Sequence, residues 1–81
     1  MEEKVKFINK LSPKDRKLIN TLIHNILNND FTGLDVIKLQ GEKQYFRVKK
    51  GSFRIIFFKG QDGLNKIETI GFRNEHTYRN F

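Results

Sequence analysis

The stretch that most constrains the fold is residues 45–58, YFRVKKGSFRIIFF, which has the pattern of two β-strands around a tight turn. Its first half alternates, so Phe46 and Val48 would share one face of a strand and basic residues the other. The strand that begins in its second half, FRIIFFK, is apolar on both faces, which is typical of a strand in the middle of a sheet. The turn contains Gly51, which tolerates the positive φ that such turns require. A β-hairpin is therefore predicted here.

The same region carries positive charge without nearby acid. From Lys43 to Gln61 there are six basic residues and no acidic one. Residues 1–42 hold seven Lys and Arg against six Asp and Glu, whereas residues 43–81 hold nine against three. Charge clustered in this way favours a polyanionic partner, with nucleic acid first and an acidic protein or membrane surface second.

The predicted sheet has three clear strands and one less regular approach to it. Strands are expected at about residues 44–50, 53–59 and 65–72, with glycine-containing turns KKGS and GQDG between them. Residues 34–41, LDVIKLQG, are expected to form an approach segment into the sheet.

One helix is strongly indicated. Ser12 is a candidate N-cap, Pro13 suits the first helical position, and Asp15 occupies the third position of a capping-box pattern. Apolar residues then recur at helical spacing. They are Leu18, Ile19, Leu22, Ile23, Ile26 and Leu27. His24 lies off this stripe, so we expect it to be a solvated helix residue.

Residues 2–11, EEKVKFINKL, fit two structures. Val5, Phe7 and Leu11 are spaced as in a strand, whereas Val5, Ile8 and Leu11 also suit a short helix with acids early and lysines late. We favour the helix. The predicted fold class is then α+β, a single domain over residues 1–81, in which an N-terminal helical hairpin packs on a small, mainly antiparallel, twisted sheet of three to four strands.

Several classes of protein are excluded or disfavoured by composition. The chain has no cysteine, so disulfides and thiolate metal sites are excluded. No apolar run approaches the roughly 20 residues needed to span a bilayer. The charged N-terminus has no apolar core of a signal peptide. We therefore expect a cytoplasmic protein, with no metal, no small-molecule cofactor and no membrane partner.

The order of these segments resembles the RelE/ParE toxin superfamily of toxin–antitoxin systems. The shared pattern is Leu-x-Gly, Tyr/Phe-Arg-x-Arg/Lys, a glycine turn, aromatic-Arg-x-x-aromatic, and a closing strand that ends Gly-x-Arg with a later tyrosine. LQGEKQYFRVKKGSFRIIFF and IETIGFRNEHTYRNF follow this pattern, and INKLSPKDRKLINTLIHNI is similar to the family's helical hairpin. One departure is that family members usually begin with a strand before the first helix.

The resemblance implies one of two functions. RelE-like members cut mRNA on the ribosome, whereas ParE-like members inhibit DNA gyrase without catalysis. An inactive relative that only binds RNA is a further alternative. The RelE-like site has two basic residues on one strand, an arginine on each of the next two, and a tyrosine in the tail. These correspond here to Arg47, Lys49, Arg54, Arg73 and Tyr78. Their presence favours the ribosome-dependent endoribonuclease.

Metal-independent RNA cleavage explains why such residues occur together. The 2′-hydroxyl attacks the adjacent phosphate, so the reaction needs a base, cations for the phosphorane and an acid for the leaving oxygen. Arg47 and Arg54 suit charge stabilisation, because a guanidinium binds phosphate in a bidentate fork. Lys49 could act as the base only in its neutral form, which nearby arginines favour. His76 is a second candidate acid or base, since histidine ordinarily titrates near neutral pH.

Other roles follow from the same resemblance. Arg73 would stabilise the transition state or assist the leaving group, and Tyr78 would stack on a base or orient the 2′-hydroxyl. Lys43, Lys50 and Tyr45 are expected to contact RNA. The alternatives are that Lys50 is only an exposed turn residue and that Tyr45 belongs to the core or to the wall of a cleft rather than stacking on a base. The implied partners are the ribosome with its mRNA and a cognate antitoxin, which is usually acidic and encoded by the adjacent gene.

Overall fold

The structure is a computed structural model that describes residues 3–41 and 44–72. Two helices precede four strands. In chain order they are α1 (Glu3–Asn9), α2 (Pro13–Leu27), β1 (Asp35–Lys38), β2 (Tyr45–Lys50), β3 (Phe53–Lys59) and β4 (Asn65–Phe72). The strands form one sheet in the order β1-β2-β3-β4, and every neighbouring pair is antiparallel. The predicted α+β fold class is therefore confirmed.

The predicted start of α2 is also confirmed. The side-chain oxygen of Ser12 accepts a hydrogen bond from the backbone N–H of Asp15 at 3.2 Å. Pro13 occupies the first turn, where its missing N–H costs nothing. The apolar stripe that follows buries Ile19, Leu22 and Ile26 against the sheet. His24 is exposed, as expected.

Residues 3–9 form a helix, as we favoured, rather than a strand. No residue of α1 is fully buried, which explains why its sequence pattern is weak. Its main anchor is Phe7, whose ring packs edge-on against Phe53 and Phe72 with centroids 6.3 and 5.3 Å apart. The helix therefore covers one end of the sheet.

The segment expected only to approach the sheet is itself an edge strand. β1 pairs with β2 over four residues, from Asp35 opposite Lys49 to Lys38 opposite Phe46. The interpretation of residues 34–41 as an approach segment was therefore wrong for these four. The letters DVIK do not alternate in polarity, so the strand depends on hydrogen bonds to β2, which lies later in the chain.

The turn glycines have the backbone conformation that the sequence predicts. Gly51 has φ of 58° and Gly63 has φ of 82°, which is the left-handed region. A β-carbon on Gly51 would also lie 3.3 Å from Cδ2 of Leu18, so this turn packs closely against α2. No helix within the described residues is long and apolar enough to cross a bilayer.

Asn65 joins the end of α2 to the start of β4. Its side-chain Nδ2 donates hydrogen bonds to the carbonyl of Ile26 at 2.7 Å and to Oδ1 of Asn29 at 3.2 Å. Asn29 itself has φ of 59°, a left-handed conformation that asparagine tolerates. This buried link fixes the helix relative to the sheet.

Candidate cationic site

Alternation along β2 and β3 gives the sheet two different faces. Val48, Ile55 and Phe57 belong to the core cluster with α2, so they face the helices. The residues between them point to the other side of the sheet. Three cations of β2 and β3 lie on that side, and we call them the cationic face: Arg47, Lys49 and Arg54.

Strand register brings these three cations together. Lys49 is directly opposite Arg54 in the β2–β3 pair, and Arg47 lies two residues from Lys49, opposite Ile56. Side chains directly opposite have β-carbons about 4.5–5.5 Å apart, and like charges in that position destabilise a sheet. Asp35, directly opposite Lys49 on β1, offsets part of that cost, and a phosphate bound between the cations would offset more.

Arg54 is buried although it is charged. Its exposure is 1%, and Ile56 on the same face has an exposure of 0%. Arg54 also has interactions within the protein and is not a free cation. Burial of a guanidinium restricts its rotation and lowers the effective dielectric around it, which strengthens its attraction for any anion that reaches it.

Arg47 is nearly buried and only partly satisfied. An exposed acid from β1 lies near it, with Asp35 Oδ2 4.0 Å from Arg47 Nη2 and side-chain exposures of 59% and 13%. No acid is close to these cations in the sequence, and Asp35 reaches Arg47 because β1 pairs with β2. Among the residues that the structure describes, the buried Nε of Arg47 has no hydrogen-bond acceptor. Such a donor is costly to leave unpaired, and a phosphate oxygen would satisfy it.

The strand order changes the interpretation of Arg47 and Lys49. A row of basic residues on an edge strand would be an ordinary solvated face. β2 is instead an interior strand, with β1 on one side and β3 on the other. Both residues have intermediate burial, so their charges lie on a sheet surface that is partly shielded from water.

The predicted RNA contacts are not all brought together. Tyr45 lies on the same side of the sheet as the cations, because it is two residues from Arg47 along β2. Lys50 is exposed and directly opposite Phe53, a core residue, so it lies on the helix side. The structure therefore separates Lys50 from the cationic face. Lys43 lies outside the described residues.

The tail candidates Arg73, His76 and Tyr78 also lie outside the described residues, so their predicted roles stay predictions. The last described residues of β4 do define what stands beside Arg54. Its direct partner on β4 is Gly71, which has no side chain to fill the space next to the guanidinium. The predicted arrival of Arg73 from this strand is untested.

Two residues of this face were missed from the sequence. Phe58 is directly opposite Tyr45, with ring centroids 5.7 Å apart, and Lys66 is directly opposite Phe58 on β4. Alternation along β3 places Phe58 on the side of Arg54, so the position of Phe58 could have been predicted from the sequence. Lys66 could not have been assigned, because the register shifts between Ile56 and Phe57 and leaves Glu68 without a partner on β3.

A cavity of about 520 Å³ lies elsewhere, between α1 and β4, and contains none of the predicted site residues. Phe7 and Ile70 contribute apolar surface to it, and lysines and glutamates surround them. Within residues 3–41 and 44–72, no group of three or more His, Cys, Asp or Glu is placed to hold a metal ion.

The chain matches no protein-family model, no curated protein and no solved structure. A function is therefore inferred from the cationic face and from the pattern of the sequence.

Proposed function

We propose that this protein is a RelE-type toxin of a toxin–antitoxin system, a ribosome-dependent endoribonuclease that cuts mRNA and stops translation. The observation that carries the proposal is the cationic face, where Lys49 is directly opposite Arg54 and the buried Nε of Arg47 lacks an acceptor among the described residues. A phosphate ligand would explain this arrangement, because it would neutralise the opposed cations and accept a hydrogen bond from the Nε of Arg47.

The three cations are close enough to act on one phosphate. Residues two apart on a strand are about 7 Å apart, and neighbouring strands are about 4.8 Å apart. Arginine and lysine side chains span such distances, so the head groups of Arg47 and Lys49 would reach one phosphodiester, and the buried Arg54 would add positive charge from within the protein. Bidentate arginine contacts would hold the phosphate oxygens in a fixed orientation.

The proposed reaction transfers the phosphoryl group from the 5′-oxygen of the next nucleotide to the neighbouring 2′-oxygen. The 2′-oxygen forms a bond to phosphorus as its proton passes to a base, and the bond to the 5′-oxygen breaks as that oxygen gains a proton. The products are a 2′,3′-cyclic phosphate and a 5′-hydroxyl. Arg47 and Arg54 would stabilise the extra negative charge of the phosphorane, and such electrostatic stabilisation is usually the main source of rate acceleration in enzymes. Lys49 and His76 are the proposed proton carriers.

The surrounding partners follow from charge. A chain with net charge +7 attracts RNA at long range, and the cationic face would be the place where a phosphate binds. An acidic antitoxin would bind the same face and exclude RNA from it. The protein would act in the cytosol, where ribosomes translate, and the arginines would supply charge stabilisation without a metal or cofactor.

A translation reaction with purified ribosomes tests the proposal. Addition of the protein should cut mRNA in the codon held by the ribosome, and the fragments should carry cyclic phosphate and 5′-hydroxyl ends. The same mRNA without ribosomes should remain intact.

A gyrase assay run in parallel distinguishes the ParE-type alternative. Intact mRNA together with gyrase trapped on cleaved DNA would contradict the nuclease proposal. Intact mRNA with retained RNA binding would instead identify an inactive RNA-binding relative.

A further inference from the structure

We propose that Tyr45 and Phe58 form a stacking subsite for one base of a single-stranded RNA, with Lys66 beside it to contact the backbone. This inference rests on the proposed function and deepens it, because it adds a base-binding position to the phosphate-binding face. It would make binding depend on a base at one position of the RNA, outside the phosphate site.

The two rings are placed together by strand register on the same side of the sheet as the cations. Tyr45 and Phe58 are directly opposite each other in the β2–β3 pair. Their centroids are 5.7 Å apart and their planes are tilted by 51°. Both residues have intermediate burial, so neither is sealed in the protein interior.

Rings on the helix side of the sheet behave differently. Phe46 stacks on Phe57 with centroids 5.2 Å apart and planes at 16°, and Phe31 stacks on Phe57 at 5.5 Å and 12°. These three rings pack in or against the core under the helices. Tyr45 and Phe58 are outside that cluster, and Tyr45 has further interactions within the protein, so both rings are held in place on this side of the sheet.

The distance from the rings to the cations fits a short stretch of RNA. Tyr45 is two residues from Arg47 and four from Lys49 along β2, which corresponds to about 7 and 13 Å. A strand of RNA that runs along β2 would therefore meet Arg47 and Lys49 with one phosphate and the two rings with a neighbouring base. Base stacking on aromatic side chains is the usual way in which proteins hold unpaired bases.

Lys66 completes the subsite. Its Nζ lies 5.9 Å from the centroid of the Phe58 ring, within the range of a cation–π contact. The residue is exposed, so the ammonium can also contact a phosphate. Lys66 would therefore bind the phosphate next to the stacked base.

The first test uses the unmodified protein and short single-stranded RNAs that carry 2′-O-methyl groups and cannot be cleaved. One base is removed at each position in turn, and affinity is measured by fluorescence anisotropy. We expect removal at one position to weaken binding by roughly 5- to 150-fold, which corresponds to the free energy that one stacked base usually contributes. Small and equal effects at every position would overturn the subsite.

Variants then assign the effect to the rings. The double variant Tyr45→Leu/Phe58→Leu should bind intact RNA as weakly as the unmodified protein binds the sensitive abasic RNA, and base removal should then have no further effect. Phe72→Leu is the matched control, because Phe72 is 39% exposed and packs with Phe7 under α1. A double variant that keeps its sensitivity to base removal would overturn the assignment.

Lys66→Gln should lower the slope of log affinity against log salt concentration by about 0.7, the value for one phosphate contact with a single strand. An unchanged slope would remove Lys66 from the subsite.

The ribosome assay separates this inference from the proposed function. Base-sensitive binding without mRNA cleavage retains the subsite and rejects the nuclease, whereas cleavage without base-sensitive binding rejects the subsite alone.

Discussion

Replacement of Asn65 by alanine measures how much the link between α2 and β4 contributes to the free energy of unfolding. Asn65 is 7% exposed, and its Nδ2 donates to the Ile26 carbonyl at 2.7 Å and to Asn29 Oδ1 at 3.2 Å. A hydrogen bond contributes about 0.5–1.5 kcal/mol net, so losing two costs about 1–3 kcal/mol.

Two features of the site reduce this cost. The Ile26 carbonyl still accepts a hydrogen bond from the Asn29 N–H at 3.1 Å, so it is not left unpaired. The buried Oδ1 of Asn65 itself has no donor among the described residues, and its removal relieves a penalty. We therefore expect Asn65→Ala to lower the free energy of unfolding by about 1.5 kcal/mol.

Asn28 provides a matched control on the same helix. Its Nδ2 also donates to a carbonyl of the last turn, that of His24, at 2.8 Å, but this hydrogen bond is exposed. Water can replace it, so Asn28→Ala should cost no more than about 0.5 kcal/mol.

Thermal unfolding followed by circular dichroism compares the two variants. For a domain of this size, Asn65→Ala should lower Tm by about 6–12 °C and Asn28→Ala by no more than about 4 °C. Equal shifts for the two variants would refute the reasoning that burial makes the Asn65 link valuable.

Three further changes test other parts of the structure. Ser12→Ala should cost about 1 kcal/mol of stability in the same unfolding assay, because the N-cap hydrogen bond is lost, and Ser12→Asp should restore most of it. Gly51→Ala should cost about 1–2 kcal/mol, since its φ is 58° and the new methyl group would press on Leu18; an unchanged Tm would contradict this. Arg47→Gln should weaken RNA binding and lower its salt slope by about 0.7, whereas Lys17→Gln on the outer face of α2 should not, and equal slopes would argue against the cationic face.

The predictable part of the fold is the part with local signals. The Ser12 cap and the stripe ending at Leu27 define α2 through contacts within a few residues. The alternation of Phe46 and Val48 with basic residues determines the faces of β2 without knowledge of any partner strand. Gly51 marks its turn because few other residues tolerate that backbone conformation.

The less predictable part depends on pairing across the chain. β1 becomes a strand only through hydrogen bonds to β2, and with it Asp35 arrives beside Arg47 from a distant part of the sequence. Lys66 reaches Phe58 through a register that a bulge at Glu68 shifts. No local sequence pattern specifies a bulge, so the position of Lys66 beside Phe58 is seen only in the folded chain.

The most direct test of the central claim is mRNA cleavage by translating ribosomes with two double variants. Arg47→Gln/Lys49→Gln removes two charges from the cationic face, and Lys14→Gln/Lys17→Gln removes two exposed charges from α2. We predict that the first loses at least about 100-fold in cleavage rate, because loss of even one charge-stabilising group costs that much in comparable sites. The second should cleave at the unmodified rate. Equal cleavage by both folded variants would contradict the claim that this face performs the reaction.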